Sequence, residues 1–383
     1  MTSTANRPTH GAGPDVLIVG GGVIGCSVAY FLGAEHGLRC TIVERDDVAM
    51  HASGYAAGEL NPLGRTISNE TFTRFCIEGL RLHRGLAPAL LEEGGDDYQL
   101  TDFPAVQPAF DPVEVEEGRR VAGLLSGYGF PARWIDAPEL QAMRAGVAGH
   151  ALGALRFDES QVDTKLFATV LAAAARNHGV TVLKGEATGL VREGDRVTGI
   201  TLKDGTPLSA GLVVVANGPW ARMAGGWMGL EVPVVPVRGQ IVYLDPGDRP
   251  PEHIITHLSG FVRPKANGSL LVGTTEEEAG FDPSVTQRAT DDILARTRRL
   301  APATERMKVR HVTACLRPVS LDGLPFIGAV PTRRNLFIAT GHGRKGIAQC
   351  LATGKYLAQI MVRAAADYPM DAFSPARLRP AAG

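Results

Sequence analysis

Gly20, Gly22 and Gly25 stand at the spacing G-x-G-x-x-G, and a carboxylate, Glu44, follows 24 positions after the first of them. Those residue types in that order suit the holding of a dinucleotide. Gly20 permits a tight turn, Gly22 lets backbone approach a pyrophosphate on a helix N-terminus, and Gly25 lets that helix lie close to the preceding strand. Glu44 can accept hydrogen bonds from a ribose and would repel a 2′-phosphate, which argues against NADP. FAD and NAD share adenosine and pyrophosphate, so these residues leave both open. Other chemistries find no set of residues. The ten histidines fall at no metal-ligand spacing, no Ser-His-Asp set is visible, and five cysteines (Cys26, Cys40, Cys76, Cys315 and Cys350) are scattered without C-x-x-C. No metal is expected.

The elements that must position these groups are legible around them. Val16 to Val19 reads as a buried parallel strand, the apolar spacing of Val23, Ile24, Val28, Phe31 and Leu32 as a helix, and "CTIVE" as a second strand ending at Glu44. The following "HASGYAAGELNPLG", residues 51–64, is rich in small residues where an ordinary nucleotide-binding domain would continue with a helix, so backbone could lie against a large flat ring system. Residues 15–90 are βαβ-like, 163–218 hold a helix at Thr164 to Asn177 followed by strands, and 309–363 end in strands and a helix. Between them, alternating stretches such as "GQIVYL" and "GSLLVG" suit an antiparallel sheet. The tail "FSPARLRPAAG" is expected to be irregular.

Composition narrows the partners. Lys+Arg at 39 against Asp+Glu at 40 leaves a net charge of -1, no electrostatic footprint for nucleic acid or an anionic membrane. Small ligands fit better. The first residues, "MTSTANRPTHGAG", lack the apolar core of a signal peptide and no run reaches transmembrane length, so a flexible leader on a cytoplasmic protein in a reducing compartment is expected.

"VGGGVIG" and "VER" together with "ASGYAAGEL" resemble the D-amino acid oxidase superfamily of FAD enzymes, particularly its glycine oxidase branch. The resemblance runs on through "VVVANGPWA", "VPVRGQIVYL", the hairpin "FVRPKANGSLLVGTTEEEAGFD", "CLRPVSLDGLPFIG" and "LFIATGHGRKGIAQCLATGKYLAQIM". It implies an α/β fold in which a Rossmann-like FAD-binding domain (1–90, 150–228 and 308–383) is interleaved with an antiparallel-sheet substrate domain (91–149 and 229–307). It implies an amine or amino-acid substrate oxidised to an imine by hydride transfer to flavin, with O2 or another electron acceptor; association of like subunits is left open. The alternatives are a D-amino acid or N-alkyl amino acid dehydrogenase serving a quinone or carrier, a non-catalytic FAD-binding subunit, and, most distantly, an NAD-dependent dehydrogenase.

The same resemblance assigns residues. Arg317 stands where the branch grips the substrate carboxylate; its other reading is a structural arginine paired with an interface acid. Arg344 and Lys345, with His342, Gly343, Gly346 and Ile347, would bring backbone amides and positive potential to the flavin's pyrimidine side, unless the two cationic side chains face solvent. Ser53, Gly58 and Glu59 carry over from the small-residue segment, Arg45 from beside the acid, and Ala187 from the strand covering the adenine. Phe261 replaces a tyrosine that bonds the carboxylate. Glu276 and Glu59 fall where the branch has apolar residues; either one, facing the pocket, would favour a substrate with a cationic or hydrogen-bond-donating group. For Glu276 the other reading is a solvated hairpin end. Cys315 aligns with the cysteine that holds flavin covalently in the monomeric sarcosine oxidase branch, whereas most motifs favour non-covalent FAD.

Overall fold

Val16–Val19 forms a strand with both faces buried, as a parallel strand between helices and a second layer must be. The computed structural model describes residues 13–63, 69–248 and 250–380. Val16–Val19 pairs in parallel with Cys40–Glu44 on one side and Leu212–Val215 on the other. Thr181–Lys184 and Leu336–Thr340 extend the sheet in parallel, and antiparallel Phe326–Ala329 closes it at six strands. Alternate residues serve different cores. Val16, Ile18 and Val214 face the helices Val23–His36, Thr164–Asn177 and Gly346–Arg363, while Leu17, Val19, Val213 and Val215 face the helix Ala221–Met228 and a three-stranded antiparallel sheet through Val197 and Ile200. The helix at Thr164–Asn177 has the expected bounds, its first turn capped by the Asp163 carboxylate, which accepts from the Lys165 and Leu166 amides.

The second large sheet has eight strands, in the order Val309–Ser320, Val234–Leu244, Leu270–Gly273, Gly260–Pro264, Ile254–His257, Thr101–Ala109, Gly153–Gln161 and Ala132–Asp136. The expected segment bounds need correction here. Gly153–Gln161 and Val309–Ser320 fall in segments expected with the nucleotide sheet, yet both are hydrogen-bonded into this larger one. Which edge accepts a strand's amides is a long-range property; Val309–Ser320 pairs along its length with Val234–Leu244, far away in the chain.

The tail is also more ordered than expected. Two short 3-10 turns, Asp371–Phe373 and Pro375–Arg377, precede a strand pair of Arg379–Pro380 with Leu230–Glu231. Phe373 is fully buried, and the Arg377 guanidinium donates to the Leu324 and Pro325 carbonyls and binds the Asp322 carboxylate. Residues 1–12 of the leader lie outside the described residues. Among the described residues no helix is long and apolar enough to cross a membrane.

Candidate cofactor and substrate site

The three glycines meet three different constraints. Gly20 has φ +112°, and a Cβ there would sit 2.5 Å from the Ala216 carbonyl oxygen; one on Gly25 would sit 2.0 Å from that of Gly20. Both are demanded by the strand-turn-helix geometry itself. A Cβ on Gly22 would meet only the Ser53 hydroxyl, at 3.1 Å, because Gly22 faces a cavity. Ser53 accepts from the Val23 amide at 3.0 Å, at the N-terminus of the helix Val23–His36. Glu44 is pinned by the amides of Gly21 (2.6 Å) and Asp46 (2.9 Å). A carboxylate offers about four lone-pair sites, so acceptor capacity remains for ribose hydroxyls.

The cavity, about 1050 Å³, runs from Glu44 past Gly20, Gly22 and Ser53 to Arg317, with Gly185 and Ala187 at the Glu44 end. Arg45 lies over the Trp220 ring at 3.9 Å and binds Asp46 at 3.1 Å. In the middle, residues 56–60 run along the edge of Gly153–Gln161: the Gly58 carbonyl accepts from Val162 and Leu60 donates to the Ser160 carbonyl. Gly58 has φ +84°, and its missing Cβ would lie 2.1 Å from the Val162 oxygen. Opposite stand the turn Gly343–Lys345 and the start of the helix Gly346–Arg363, whose N-terminus has no side-chain cap. Such an end presents unsatisfied amides and positive potential. His342 bonds Thr353 at 3.0 Å, and burial depresses its pKa to about 3, so it is a neutral structural side chain.

Beneath this floor lies a charge network that sequence reasoning saw only in part. Lys345 is buried, and its Nζ donates to Glu59 Oε1 at 2.7 Å and Asn61 Oδ1 at 3.1 Å. Arg263, fully buried, binds Glu59 at 2.9 Å and the buried Glu159. Burial alone would raise the Glu59 pKa, but Lys345 and Arg263 more than offset it and hold the carboxyl at about 2. The solvent-facing alternative for Lys345 is therefore excluded. So is an unpaired Glu59 waiting for a cationic substrate group. Glu276 is likewise engaged, by Arg344 Nε at 2.6 Å. Lys265 donates to the Ala57 and Val162 carbonyls, tying the hairpin to the segment 56–58, and burial draws its pKa down to about 7. The sequence shows Arg263 and Lys265 as charges inside an apolar hairpin; the partner carboxylates, Glu59 and Glu159, are remote in the chain.

At the far end of the cavity the strands Val234–Leu244 and Val309–Ser320 place Arg317 across from Val237. Its side chain lies over Gly239, where a Cβ would collide with the guanidinium at 2.0 Å. Arg317 donates to the Thr275 carbonyl at 2.9 Å and to the Thr274 hydroxyl at 2.7 Å. Among the described residues it has no carboxylate partner, so the reading as an interface ion pair fails. Burial lowers its pKa, yet a guanidinium stays charged in proteins. Phe261 packs with Ile241 and Leu271, and Phe261 and Ile241 form an apolar wall of the cavity. Cys315 lines the same end, and burial raises its pKa.

A dinucleotide cradle continuous with a guanidinium under a β-sheet roof defines the class of two-sheet, dinucleotide-dependent redox enzymes. The chain belongs to the FAD-dependent oxidoreductase family, DAO, whose sequence model matches residues 15–360. It is 29% identical over 366 residues to glycine oxidase of Geobacillus kaustophilus, covering 95% of this chain and 97% of that protein. It is 28% identical over 402 residues to hydrogen cyanide synthase subunit HcnC of Pseudomonas aeruginosa, covering 96% of each. The crystal structure of glycine oxidase from Geobacillus kaustophilus superposes with a TM-score of 0.90 at 28% identity, over 95% of this chain and 98% of that one. The dinucleotide of this family is FAD, and the long glycine-floored cavity fits it.

Proposed function

We propose that this flavoenzyme oxidises a small primary or secondary amine bearing a carboxylate, an amino acid or N-substituted amino acid, to the imine, which water then hydrolyses. One observation carries the reading. Of the cationic side chains lining the cavity, Arg45, Arg120, Arg344 and Lys345 each have a carboxylate partner, and Arg317 alone among the described residues has none. A desolvated guanidinium with only neutral partners is a site for an anion, and its two parallel N–H groups match a carboxylate.

The six-stranded sheet, through Gly20, Gly22, Ser53 and Glu44, holds the cofactor, with Ala187 over the adenine, Arg45 and Gly58 along the groove and the amides of His342 to Ile347 at the ring; the eight-stranded sheet roofs the substrate. FAD supplies the hydride acceptor. Arg317 orients the substrate by its carboxylate, Thr274 and Thr275 hold Arg317, and Phe261 and Ile241 exclude water from the reacting carbon. Glu276 holds Arg344 at the rim, and Glu59 pairs with Lys345 beneath the ring. Non-covalent FAD is supported by Cys315, a buried thiol whose raised pKa disfavours the thiolate a covalent bond would need. O2 is the proposed acceptor, after the glycine oxidase relatives.

Phe261 offers no hydroxyl to share the carboxylate, so truncation of Arg317 should be costly. Losing one partner of a buried charge pair costs about 2–5 kcal/mol, and each 1.4 is about tenfold. Arg317→Ala should lower kcat/KM by at least about thirtyfold with FAD content unchanged, and Arg317→Lys should recover little. An amine lacking the carboxylate should be little worse for the variant than for the wild type; an equal fall for both substrates overturns the reading. A second reading, a subunit dependent on partners, is favoured by the relative named as a hydrogen cyanide synthase subunit. Oxygen uptake with peroxide formation by the isolated chain decides between them.

A further inference from the structure

The stretch "EEAGFD" beyond the roof hairpin sets one aromatic ring, Phe281, among carboxylates. It lies in the loop between the strand Leu270–Gly273 and the helix Gln287–Leu300. Arg238, buried on the strand Val234–Leu244, roots that loop on the eight-stranded sheet. It exchanges backbone hydrogen bonds with Glu277 at 2.9 and 3.0 Å, and its guanidinium binds Glu277 and Asp282, each at 2.8 Å. Between the two acids the chain reverses: the Asp282 amide donates to the Ala279 carbonyl at 3.2 Å, and Gly280 takes φ +58°. Phe281 follows this turn and stacks on Trp220, ring centroids 5.9 Å apart and planes inclined by 24°. Trp220 ends the 3-10 turn Gly218–Trp220, which follows the strand Leu212–Val215 of the six-stranded sheet. The Arg45 guanidinium lies 3.9 Å from the centre of the same ring, and the His51 ring meets it edge-to-face at 4.9 Å. Arg45, His51, Trp220 and Phe281 all line the cavity, and Arg45 is the residue after Glu44. A run of stacked groups therefore crosses from the loop of one sheet to the acid that ends a strand of the other.

Resting on the placement of the FAD ribose at Glu44 proposed above, we propose that Phe281, Trp220 and Arg45 are a clasp over the ribose end of the cofactor cavity, which retains FAD by slowing its release and takes no part in the chemistry. The argument is one of rates. A dinucleotide lying between two sheets leaves only when what closes the cavity parts. The sheets are hydrogen-bonded ladders that stay formed, whereas the stack is a side-chain contact at the surface, Phe281 being 42% exposed, and such contacts open locally at little cost. An aromatic pair and a guanidinium over a ring each favour the closed arrangement severalfold. Their loss shortens the residence of FAD and leaves the substrate end, at Arg317 and Phe261, as it was. The same loop makes a second tie across the cavity, the pair Glu276–Arg344 at 2.6 Å, so the loop stays in register when the ring of Phe281 is removed.

The test is the exchange of bound FAD for an excess of radiolabelled FAD, followed on the FAD-loaded full chain by desalting at timed intervals. Phe281→Ser should raise the dissociation rate about two- to tenfold, the worth of one aromatic pair. Phe281→Tyr keeps the ring and should exchange at the wild-type rate. Met223→Ser removes another apolar side chain that lines the cavity, 64% exposed and not one of the stacked groups, and should also leave the rate unchanged. The visible spectrum of the bound flavin should be the same in Phe281→Ser and the wild type. An unchanged rate in Phe281→Ser, an equal acceleration by Met223→Ser, no rescue by Phe281→Tyr or a shifted flavin spectrum overturns the clasp. The placement beneath it is tested apart. If Gly22→Val loses FAD while Phe281→Ser exchanges normally, the placement stands and the clasp is refuted; a normal FAD content in Gly22→Val removes the placement and the clasp with it.

Discussion

Glu59 shows how little a residue's type says about its task until its partners are known. It holds two cations, Lys345 at 2.7 Å and Arg263 at 2.9 Å, next to the segment that lines the cavity floor. Glu59→Gln keeps the size and removes the charge, so buried Lys345 loses its carboxylate partner and Arg263 loses one of its two. Breaking such a pair costs about 3–5 kcal/mol, and the denaturant midpoint at neutral pH should fall accordingly. The pH dependence has a definite sign. The folded-state pKa is about 2 against an ordinary 4.5, so the contribution of Glu59 is complete above the ordinary value and is lost as pH falls through the folded one. The gap between wild type and Glu59→Gln, measured by urea unfolding, should be constant above about pH 5 and narrow below about pH 4.5; a gap that widens on acidification refutes this role. At the other end of the cavity, Gly22→Val would push a branched side chain into the proposed pyrophosphate path, whereas Glu44→Gln keeps the size and weakens the bonds from the Gly21 and Asp46 amides together with the proposed charge-assisted ribose bonds. Bound FAD per chain should therefore fall further for Gly22→Val, and a normal content in that variant refutes the placement.

Among the elements, the helix Gly346–Arg363 connects cofactor retention to packing. Its N-terminus lies at the cavity, and its body is pressed against neighbours where only glycine fits: a Cβ on Gly354 would lie 2.2 Å from the Ser27 hydroxyl and 2.6 Å from the Ser27 carbonyl carbon, and one on Gly79 would lie 1.9 Å from the Ala348 oxygen. Gly354→Ala should destabilise by about 1–3 kcal/mol, the usual cost of overpacking, despite alanine's better helix propensity. Displacing the helix should also loosen its N-terminal amides from the cofactor, so the thermal midpoint and FAD content should fall together; a gain in stability would show that the contact relaxes freely. The G-x-G-x-x-G glycines were legible from spacing. Gly79 and Gly354 were not, because the atoms that crowd them belong to other helices.

For the whole molecule, FAD bound without a covalent link should be released by acid precipitation, giving a yellow supernatant; a yellow pellet, with flavin mapped to Cys315, is the contrary result. Added FAD should raise the thermal midpoint of the stripped protein in a concentration-dependent way, since a ligand of the native state stabilises it by mass action. The sequence by itself determined the strand-glycine-helix-strand cradle with its acid, the helix Thr164–Asn177, the roof hairpin and the position of Arg317. Each is written in neighbouring residues through steric need or hydrophobic period. Only the tertiary structure decided that Gly153–Gln161 and Val309–Ser320 join the larger sheet, that Glu59 and Glu276 are already neutralised by Lys345, Arg263 and Arg344, and that Arg317 lacks a carboxylate partner among the described residues. The reason is physical. A strand's edge and a charge's partner are satisfied across space, in this chain by residues up to 286 positions apart, and nothing in the local pattern of either member names the other.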